Sequence, residues 1–341
     1  MCIRDSGGPF NYIEHGMGPK WKWLAKIFAF FGIGVGLLGI GTFTQVNGIS
    51  SAVNNFFDSN NAWTVSLFGR TYSWTVVISC LILTFCVALV LIGGIQRISK
   101  VAQVIVPFMA ATYFLAGILI ILFNITDVPA AILTIVQSAF GLKAAAGGAL
   151  GAMVVAMQKG IARGIFSNEA GLGSAPIAAA AARTNEPVRQ GLVSMTGTFI
   201  DTIVICSCTA FIMLLAPEEK VTGLSGMDLL QTAMEHHLGR FGVIFIAATL
   251  FLFSFSTFLG ILFYARCNVA YLFGDNWASQ TAYKVLALVM LFIGGLAAYT
   301  FVWDLGDVGI GLMTIFNIII LYPQGEKALK ELKEYEKEKR K

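Results

Sequence analysis

Long apolar stretches, separated by short polar loops, recur along the whole chain. Eight of these stretches approach the length of about 20 helical residues that is needed to cross a hydrocarbon core. The predicted spans are approximately residues 23–50, 74–95, 101–124, 163–183, 191–215, 242–264, 283–303 and 307–323. The pattern therefore predicts an all-α polytopic membrane protein, with a transmembrane domain over residues 23–323 and a charged tail over residues 324–341.

Residues 128–162 fit this pattern poorly. They are moderately apolar, carry Lys143 and Lys159, and contain an Ala- and Gly-rich run from Ala144 to Gly151. We interpret the stretch as a re-entrant or interfacial hairpin. Such backbone is tolerated at membrane depth only where protein or a water-filled cavity surrounds it, which hints at a path for a solute.

Composition excludes an ordinary soluble domain. Hydrophobic residues make up 57% of the chain and charged residues 12%, whereas soluble domains carry about 25% charged residues. The net charge is only +4, and many of the cations lie in a lysine-rich C-terminus, so the charge does not indicate nucleic-acid binding. The six cysteines lack paired CxxC spacing, which argues against a metal site or a disulfide framework.

The distribution of positive charge predicts the orientation of the chain. With an even number of spans, both termini lie on the same side of the membrane as several basic loops. The cations on that side are Lys20, Lys22, Lys26, Arg97, Lys100, Arg183, Arg189, Arg266, Lys284 and those between Lys327 and Lys341. The opposite loops hold Arg70, Lys220 and Arg240 among several carboxylates. The positive-inside rule therefore places both termini in the cytoplasm, in the cell inner membrane.

Residues 1–22 form a separate segment before the first span. Its first six residues, Met1 to Ser6, have no signal-peptide core and resemble the leader that a gene model acquires from a sequencing adapter. We therefore expect the true start to lie upstream. Trp21 and Trp23, at the end of the segment, are typical of a membrane interface.

The residues that carry most information lie between 160 and 183, which read GIARGIFSNEAGLGSAPIAAAAAR. Gly171 and Gly173 each disfavour a continuous helix by about 1 kcal/mol relative to Ala, so we predict a break there. Ser174 is a good N-cap and Pro176 fits a first helical turn, so the helix is expected to restart at that point with its positive end facing the break. Discontinuous helices of this kind hold anionic groups and sodium ions in transporters.

Glu169 lies inside this apolar segment and must face protein, water or an ion rather than lipid. The alternative is that it pairs with a cation in a static core and that the glycines serve only packing. Asp201, in the predicted span 191–215, is a second carboxylate within an apolar stretch and a candidate functional residue for the same reason. A structural partner for Asp201 is the competing interpretation.

Two further helices offer polar side chains. Gln45 follows a glycine-rich face in the first span and could bind a zwitterion, although an interhelical hydrogen bond is an equally reasonable role. Ser256 and Thr257 could ligate a hard cation. Hydroxyls in membrane helices also commonly bond to carbonyl groups of their own helix, so this signal is weak alone.

The segment from Phe166 to Pro176, FSNEAGLGSAP, resembles the alanine or glycine:cation symporter family. Supporting segments are Gly7-Gly8-Pro9 with Tyr12-Ile13-Glu14, Gln45-Val46-Asn47, Phe255 to Gly260, and Val302-Trp303-Asp304-Leu305. The resemblance implies a LeuT-type transporter fold with two inverted five-helix repeats. The first predicted span then matches core helix three, the broken span core helix six, and span 242–264 core helix eight. The first two core helices, and the Gly-Thr-Gly-Asn-type motif of helix one, are missing from this chain.

The resemblance also implies roles for individual residues. Gln45, Phe166 and Thr257 would line the amino-acid pocket together with Gly171, and Asn168 and Ser256 would lie near the ligand or the ion. The expected ion ligands are thus Ser256, Thr257 and Asn168, whereas Glu169, Asp201, Gly173 and Ser174 would serve gating or structure. Ile261 stands where the family usually has Trp, and this change would widen the side-chain pocket.

These observations predict a secondary active transporter that couples sodium to the uptake of a small neutral amino acid, alanine or glycine. Its partners would be the amino acid, sodium and the lipid bilayer, with no cofactor beyond the coupling ion and no nucleic acid. The alternatives are a passive channel, for which no ring of repeated polar residues is seen, and a non-transporting membrane fragment. An enzyme is disfavoured because the three histidines fall in loops and form no catalytic pair within a span.

Overall fold

The computed structural model describes residues 7–39, 42–58, 60–67, 69–92, 94–140, 149–182, 184 and 186–339. The predicted leader, Met1 to Ser6, lies outside the described residues, as does most of the Ala- and Gly-rich run. The helices are α1 Pro9–Tyr12, α2 Lys22–Leu38, α3 Phe43–Phe57, α4 Trp74–Ile92, α5 Gly94–Phe123, α6 Val128–Ala139, α7 Ala149–Asn168, α8 Ala175–Ala179, α9 Pro187–Phe199, α10 Cys206–Leu214, α11 Glu218–Val221, α12 Gly226–Leu238, α13 Arg240–Phe273, α14 Trp277–Leu296 and α15 Tyr299–Lys339.

Other elements connect these helices. Short π-helical segments cover Ile13–Met17 and Ile200–Ile205, and the second of them joins α9 to α10 without a loop. Strands β1 (Thr64–Leu67) and β2 (Arg70–Ser73) form an antiparallel hairpin between α3 and α4 that the hydrophobic pattern did not indicate.

Seven helical stretches among the described residues have the length and hydropathy to cross a membrane. They cover Pro19–Phe57, Trp74–Leu91, Lys100–Phe123, Pro187–Leu214, Arg240–Phe273, Trp277–Leu296 and Phe301–Lys339. The prediction of an all-α polytopic membrane protein is confirmed at this level. The predicted span over residues 163–183 is not among the seven: α7 already begins at Ala149, and the chain leaves the helix after Asn168, where a break was predicted.

The first predicted span, residues 23–50, is also interrupted. Helix α2 ends at Leu38 and α3 begins at Phe43, next to the pair of glycines Gly39 and Gly41. The Thr42 hydroxyl donates a hydrogen bond of 2.5 Å to the Leu37 carbonyl oxygen. Glycine disfavours helix interiors and the Thr42 side chain satisfies a carbonyl at the helix end, so the chain can bend between α2 and α3.

The last two spans have different limits from those predicted. Helix α14 ends at Leu296 rather than near 303, and α15 runs from Tyr299 through Pro323 to Lys339. The predicted charged tail is therefore helical up to Lys339. Its alternating charges allow pairs one turn apart, such as Lys330 and Glu334 at 3.9 Å, which support an exposed helix modestly.

Helix α13 is the centre of the fold. It contributes to all three apolar cores: one with α3, α4 and α14, one with α1, α2, α8 and α15, and one with α5, α10 and α12. A helix that is apolar on every side is stable when other elements surround it, as here. By contrast, α9 has no buried residue and α6 only Ala131. Their apolar side chains are exposed to the surroundings, where lipid is the natural solvent for a membrane protein.

Candidate functional site

The chain breaks between α7 and α8, as the glycines predicted. Glu169, Gly171 and Gly173 have φ values of +54°, +87° and +93°. This left-handed region is easily reached by glycine and is uncommon for other residues, so the sequence Glu-Ala-Gly-Leu-Gly cannot continue the helix. The result is a turn over residues 169–174 that exposes backbone groups between two helices.

The predicted capping role of Ser174 is wrong. Ser174 occupies the N-cap position of α8, and Pro176 lies in the first turn as expected, but the Ser174 hydroxyl caps no backbone N–H group. It donates a hydrogen bond to Glu169 Oε2 instead. Helix α8 has only five residues, which is too short for the strong positive helix end that we expected.

The Gly7-Gly8-Pro9 motif packs directly against this turn. A Cβ atom at Gly7 would lie 1.7 Å from Cβ of Ala180, and one at Gly8 would lie 2.7 Å from Cγ1 of Ile177. In return, a Cβ atom at Gly173 would lie 2.9 Å from Cγ of Pro9 and 2.8 Å from Cζ of Phe28. Gly7, Gly8 and Gly173 are therefore explained by close contact between the N-terminal segment and the broken helix.

On one side, the end of α7 contacts the π-helical segment. Asn168 Nδ2 donates to Thr202 Oγ1 at 2.7 Å, and Asn168 Oδ1 accepts from the Ala170 N–H at 2.8 Å. The Ser167 hydroxyl donates to Asp201 Oδ2 at 2.6 Å. Asp201 thus has a hydrogen-bond partner beside the break. Single π-helical turns within α-helices are frequent at functional sites, and this one turns Asp201 and Thr202 toward α7.

On another side, Asn317 of α15 holds the turn. Its Nδ2 donates to the Gly171 carbonyl oxygen at 2.8 Å, and its Oδ1 accepts from the Tyr12 hydroxyl. Asn317 is 2% exposed. One buried amide therefore connects the N-terminal segment, the broken helix and α15.

The N-terminal segment is anchored again at Glu14. Lys22 Nζ lies 2.7 Å from Glu14 Oε1, and the Tyr271 hydroxyl donates to Glu14 Oε2 at 3.0 Å. The hydrogen bond from Lys22, followed by that from Tyr271, lowers the pKa of Glu14 below its usual value. Since a depressed pKa keeps the carboxylate charged, this anchor persists at neutral pH and weakens only in acid.

Phe166 lies in an aromatic and ionic cluster between α7 and α15. Its ring stacks on Trp303 with centroids 4.9 Å apart, and the Arg163 guanidinium lies 4.5 Å from the Trp303 centroid. Arg163 also forms an ion pair of 2.6 Å with Asp307. A cation above an aromatic face and beside a carboxylate is held by both, so this cluster ties one end of α7 to α15.

A small cavity lies beside the turn. Its polar and small lining residues are Gly32, Gly36, Glu169, Ser174, Tyr264 and Asn268, and its apolar lining includes Leu172 and Ile261. Its volume is about 10 Å³, close to the ~10–15 Å³ that a single water-sized sphere occupies. Ile261 therefore lines the same space as Glu169.

Ser256 and Thr257 lie on α13, and Gln45 lies on α3. The Ser254 hydroxyl donates to Gln45 Oε1 at 3.0 Å, which joins α3 to α13. The hydroxyls of Ser256 and Thr257 donate to the Phe253 carbonyl oxygen at 2.8 and 2.9 Å. Each hydroxyl oxygen keeps lone pairs for a further ligand, although the bonds themselves match the structural alternative considered above.

The structure therefore distributes the predicted site residues over several groups. Glu169, Ser174 and Ile261 meet at the cavity, Asn168 faces the π-helical segment, Phe166 faces Trp303, and Gln45 faces Ser254. Sequence reasoning missed Asn268, Asn317, Arg163 and Asp307. The first two and Asp307 are polar residues within apolar helices, and that signal alone could have marked them as candidates.

Comparison with known proteins identifies the chain's relatives. The sequence profile described as the sodium:alanine symporter family matches residues 4–341. An uncharacterized transporter of Haemophilus influenzae is 42% identical over 332 residues, which are 97% of this chain and 69% of that protein. The sodium/alanine symporter AgcS of Methanococcus maripaludis is 38% identical, over 92% of this chain and 66% of its own length. The probable sodium/glutamine symporter GlnT of Bacillus subtilis is 37% identical, over 98% of this chain and 65% of its own. The chain thus spans about two thirds of these relatives.

Proposed function

The chain belongs to the sodium:alanine symporter family, and from this premise we propose that it carries a small neutral amino acid, alanine or glycine, together with sodium into the cell. Membership makes the chain a multi-pass membrane protein of a transporter family rather than an enzyme. The names of its relatives differ in the amino acid, alanine in one and glutamine in another. The choice of alanine or glycine is therefore part of the proposal.

The observation that carries the proposal is the break between α7 and α8. Its residues bond to several elements: Asn168 to the π-helical segment, Gly171 to α15, and Glu169 to Ser174 at the start of α8. Non-helical backbone that protein surrounds is the arrangement that transporters use to bind solutes between helices. Glu169, Asp201, Gly173 and Ser174 fix the shape of this turn in the proposed mechanism.

The proposed amino-acid pocket includes Gln45, Phe166, Asn168, Gly171, Thr257 and Ile261. In support, Gln45 is held by Ser254, which lies one helical turn before Thr257 on the same helix. Ser256, Thr257 and Asn168 are the proposed sodium ligands of this pocket. Ile261 in place of Trp gives more space for a substrate side chain, so substrates larger than alanine are included in the proposal.

The proposal also covers fold and orientation. We assign a LeuT-type inverted-repeat architecture, with both termini of this chain in the cytoplasm of a bacterial inner membrane. The basic loops support the orientation, and the broken helix supports the architecture. Substrate movement would then require that the Arg163–Asp307 cluster and the Tyr12–Asn317 contact open in turn, because both tie α15 to the broken helix or to its neighbouring segment.

Uptake of labelled alanine by this chain in proteoliposomes tests the function. We expect accumulation under an inward sodium gradient and none when choline replaces sodium. Equal uptake in both media would support a passive channel and contradict sodium coupling. Absence of uptake in either medium would contradict transport by this chain.

A matched pair of variants tests the pocket. Thr257 and Thr249 both lie on α13, and both hydroxyls donate to the carbonyl oxygen four residues earlier, at 2.9 and 2.7 Å. If Thr257 binds substrate, Thr257→Val raises the KM for alanine at least about tenfold, or about 1.4 kcal/mol. Thr249→Val then leaves KM unchanged. Equal effects of the two substitutions would show that Thr257 acts only within its own helix.

A further inference from the structure

The cavity beside the turn contains a buried oxygen atom without a partner. Asn268 is 1% exposed, and its Nδ2 donates to the Tyr264 carbonyl oxygen at 2.8 Å. Its Oδ1 is buried and accepts no hydrogen bond from the described residues. Since a buried acceptor without a donor costs free energy, a group that satisfies it would stabilise the fold.

Glu169 supplies a second oxygen group to the same cavity. The Ser174 hydroxyl donates to Glu169 Oε2, and Ser174 itself is 4% exposed. None of the ion pairs found among the described residues includes Glu169: the carboxylates that have cationic partners are Glu14, Asp307, Asp275 and Glu334. A carboxylate that lines a small cavity among buried residues, without a cationic partner, is stabilised by a proton or a metal ion that balances its charge.

Two glycines of α2 keep the cavity open. A Cβ atom at Gly32 would lie 2.6 Å from Nδ2 and 2.9 Å from Oδ1 of Asn268, and one at Gly36 would lie 2.5 Å from Cβ of Ala265. Any larger residue at these positions would press α2 against α13 or displace Asn268. Gly34, on the same helix, has no atom within 4 Å of such a Cβ position. Gly32 and Gly36, which line the cavity, are therefore the glycines of α2 at which a side chain would collide with α13, whereas Gly34 has room for one.

We propose that the cavity between Glu169 and Asn268 binds one sodium ion. The available donors are a carboxylate, an amide oxygen and a hydroxyl, all of the hard oxygen type that such cations prefer. A single carboxylate balances one positive charge, and the described residues contain no cluster of three His, Cys, Asp or Glu side chains that would favour a transition metal. The space fits one bare ion, which is smaller than a water molecule.

This site is distinct from the one proposed at Ser256 and Thr257. Asn268 lies eleven residues after Thr257 on α13, or roughly 16 Å along the helix axis. A sodium ion held by Glu169 and Asn268 would connect the turn to α13. The turn also fixes Phe166 and Asn168, so ion binding here would order two proposed substrate contacts. This role in coupling rests on the proposed transport function, whereas ion binding itself can be tested without transport.

The test is equilibrium binding of radioactive sodium to the purified chain in nanodiscs, with no amino acid present. We expect saturable binding that Glu169→Gln weakens at least tenfold, because the amide keeps the shape and loses the charge. Gly32→Ala should weaken binding similarly by pushing a methyl group toward Asn268. Gly34→Ala is the matched control and should bind sodium as the unchanged chain does. Size-exclusion profiles verify that each variant is folded.

Unchanged sodium affinity in Glu169→Gln would overturn the proposal, and so would equal losses in Gly32→Ala and Gly34→Ala. Absence of saturable binding by the unchanged chain between pH 6 and 9 would also overturn it and would indicate that a proton neutralises Glu169. The transport proposal fails on a different result, which is alanine uptake that does not depend on sodium. Each idea can therefore fail while the other stands.

Discussion

Glu169 and Asp201 look alike in the sequence, since each is a lone carboxylate in an apolar stretch, but the structure gives them different surroundings. Glu169 lines a small cavity with the buried residues Ser174 and Asn268. Asp201 lies in a π-helical segment that continues α9, a helix without buried residues, and its partner Ser167 is exposed. Both carboxylates are partly buried, so their surroundings rather than their charge or their own exposure separate them: Glu169 lines this cavity and Asp201 does not.

The three consecutive residues 167–169 link the region around Asp201 to the cavity around Glu169. Ser167 bonds to Asp201 and Asn168 to Thr202, whereas Glu169 turns away and bonds to Ser174. The positive φ of Glu169 produces this change of direction. The turn therefore lies between a tightly packed half of the protein, built on α2 and α13, and a loosely packed half that includes α9.

The largest loss of folding stability is expected from a substitution where the packed half contacts the turn. Gly171 and Gly173 both have positive φ, so replacement by Ala strains either position by about 1–2 kcal/mol. Only a Cβ at Gly173 also meets Phe28 and Pro9; at Gly171 it meets no atom within 4 Å. Gly173→Ala should therefore cost about 1–3 kcal/mol more than Gly171→Ala. Thermal unfolding of both variants in detergent measures the difference, and equal unfolding temperatures would contradict close packing at Gly173.

A smaller loss of folding stability is expected from removing the hydroxyl that bonds to Glu169 or the one that bonds to Asp201. Ser174→Ala deprives Glu169 of its hydrogen-bond donor inside the cavity and should destabilise the protein by about 1–3 kcal/mol. Ser167→Ala removes the matching bond to Asp201 on the exposed side, where solvent or lipid headgroups can replace it, and should cost about 0.5 kcal/mol. The same unfolding measurement compares them. A larger loss in Ser167→Ala would reverse the assignment of packed and loose sides.

Local features of the fold were predictable from the sequence. The break at Gly171 and Gly173 depends only on backbone conformation, and the apolar spans depend on composition. Limits of the spans were less predictable: α7 begins fourteen residues before the predicted start at 163, because its first half is only moderately apolar. The tail beyond Pro323 was predicted only as a charged segment, and the pattern of charges did not reveal that α15 continues through it.

Features that need a partner from elsewhere in the chain were not predictable. Ser174 carries a good capping side chain, but Glu169 competes successfully for its hydroxyl. Asn268 and Asn317 matter because Gly32 and Gly171 approach them, from 236 and 146 residues away in sequence. The π-helical segment at Asp201 likewise has no pattern in the local residues that indicated it.

The sodium dependence of alanine uptake in Glu169→Gln and Asp201→Asn tests this comparison and the transport proposal together. Proteoliposomes with the unchanged chain should accumulate alanine only under a sodium gradient. Glu169→Gln should raise the sodium concentration for half-maximal uptake at least about tenfold, or about 1.4 kcal/mol, whereas Asp201→Asn should change it less than about twofold, since its carboxylate lies outside the cavity. Equal shifts in the two variants would contradict the assignment of sodium to Glu169, and uptake that persists in choline would contradict sodium-coupled transport.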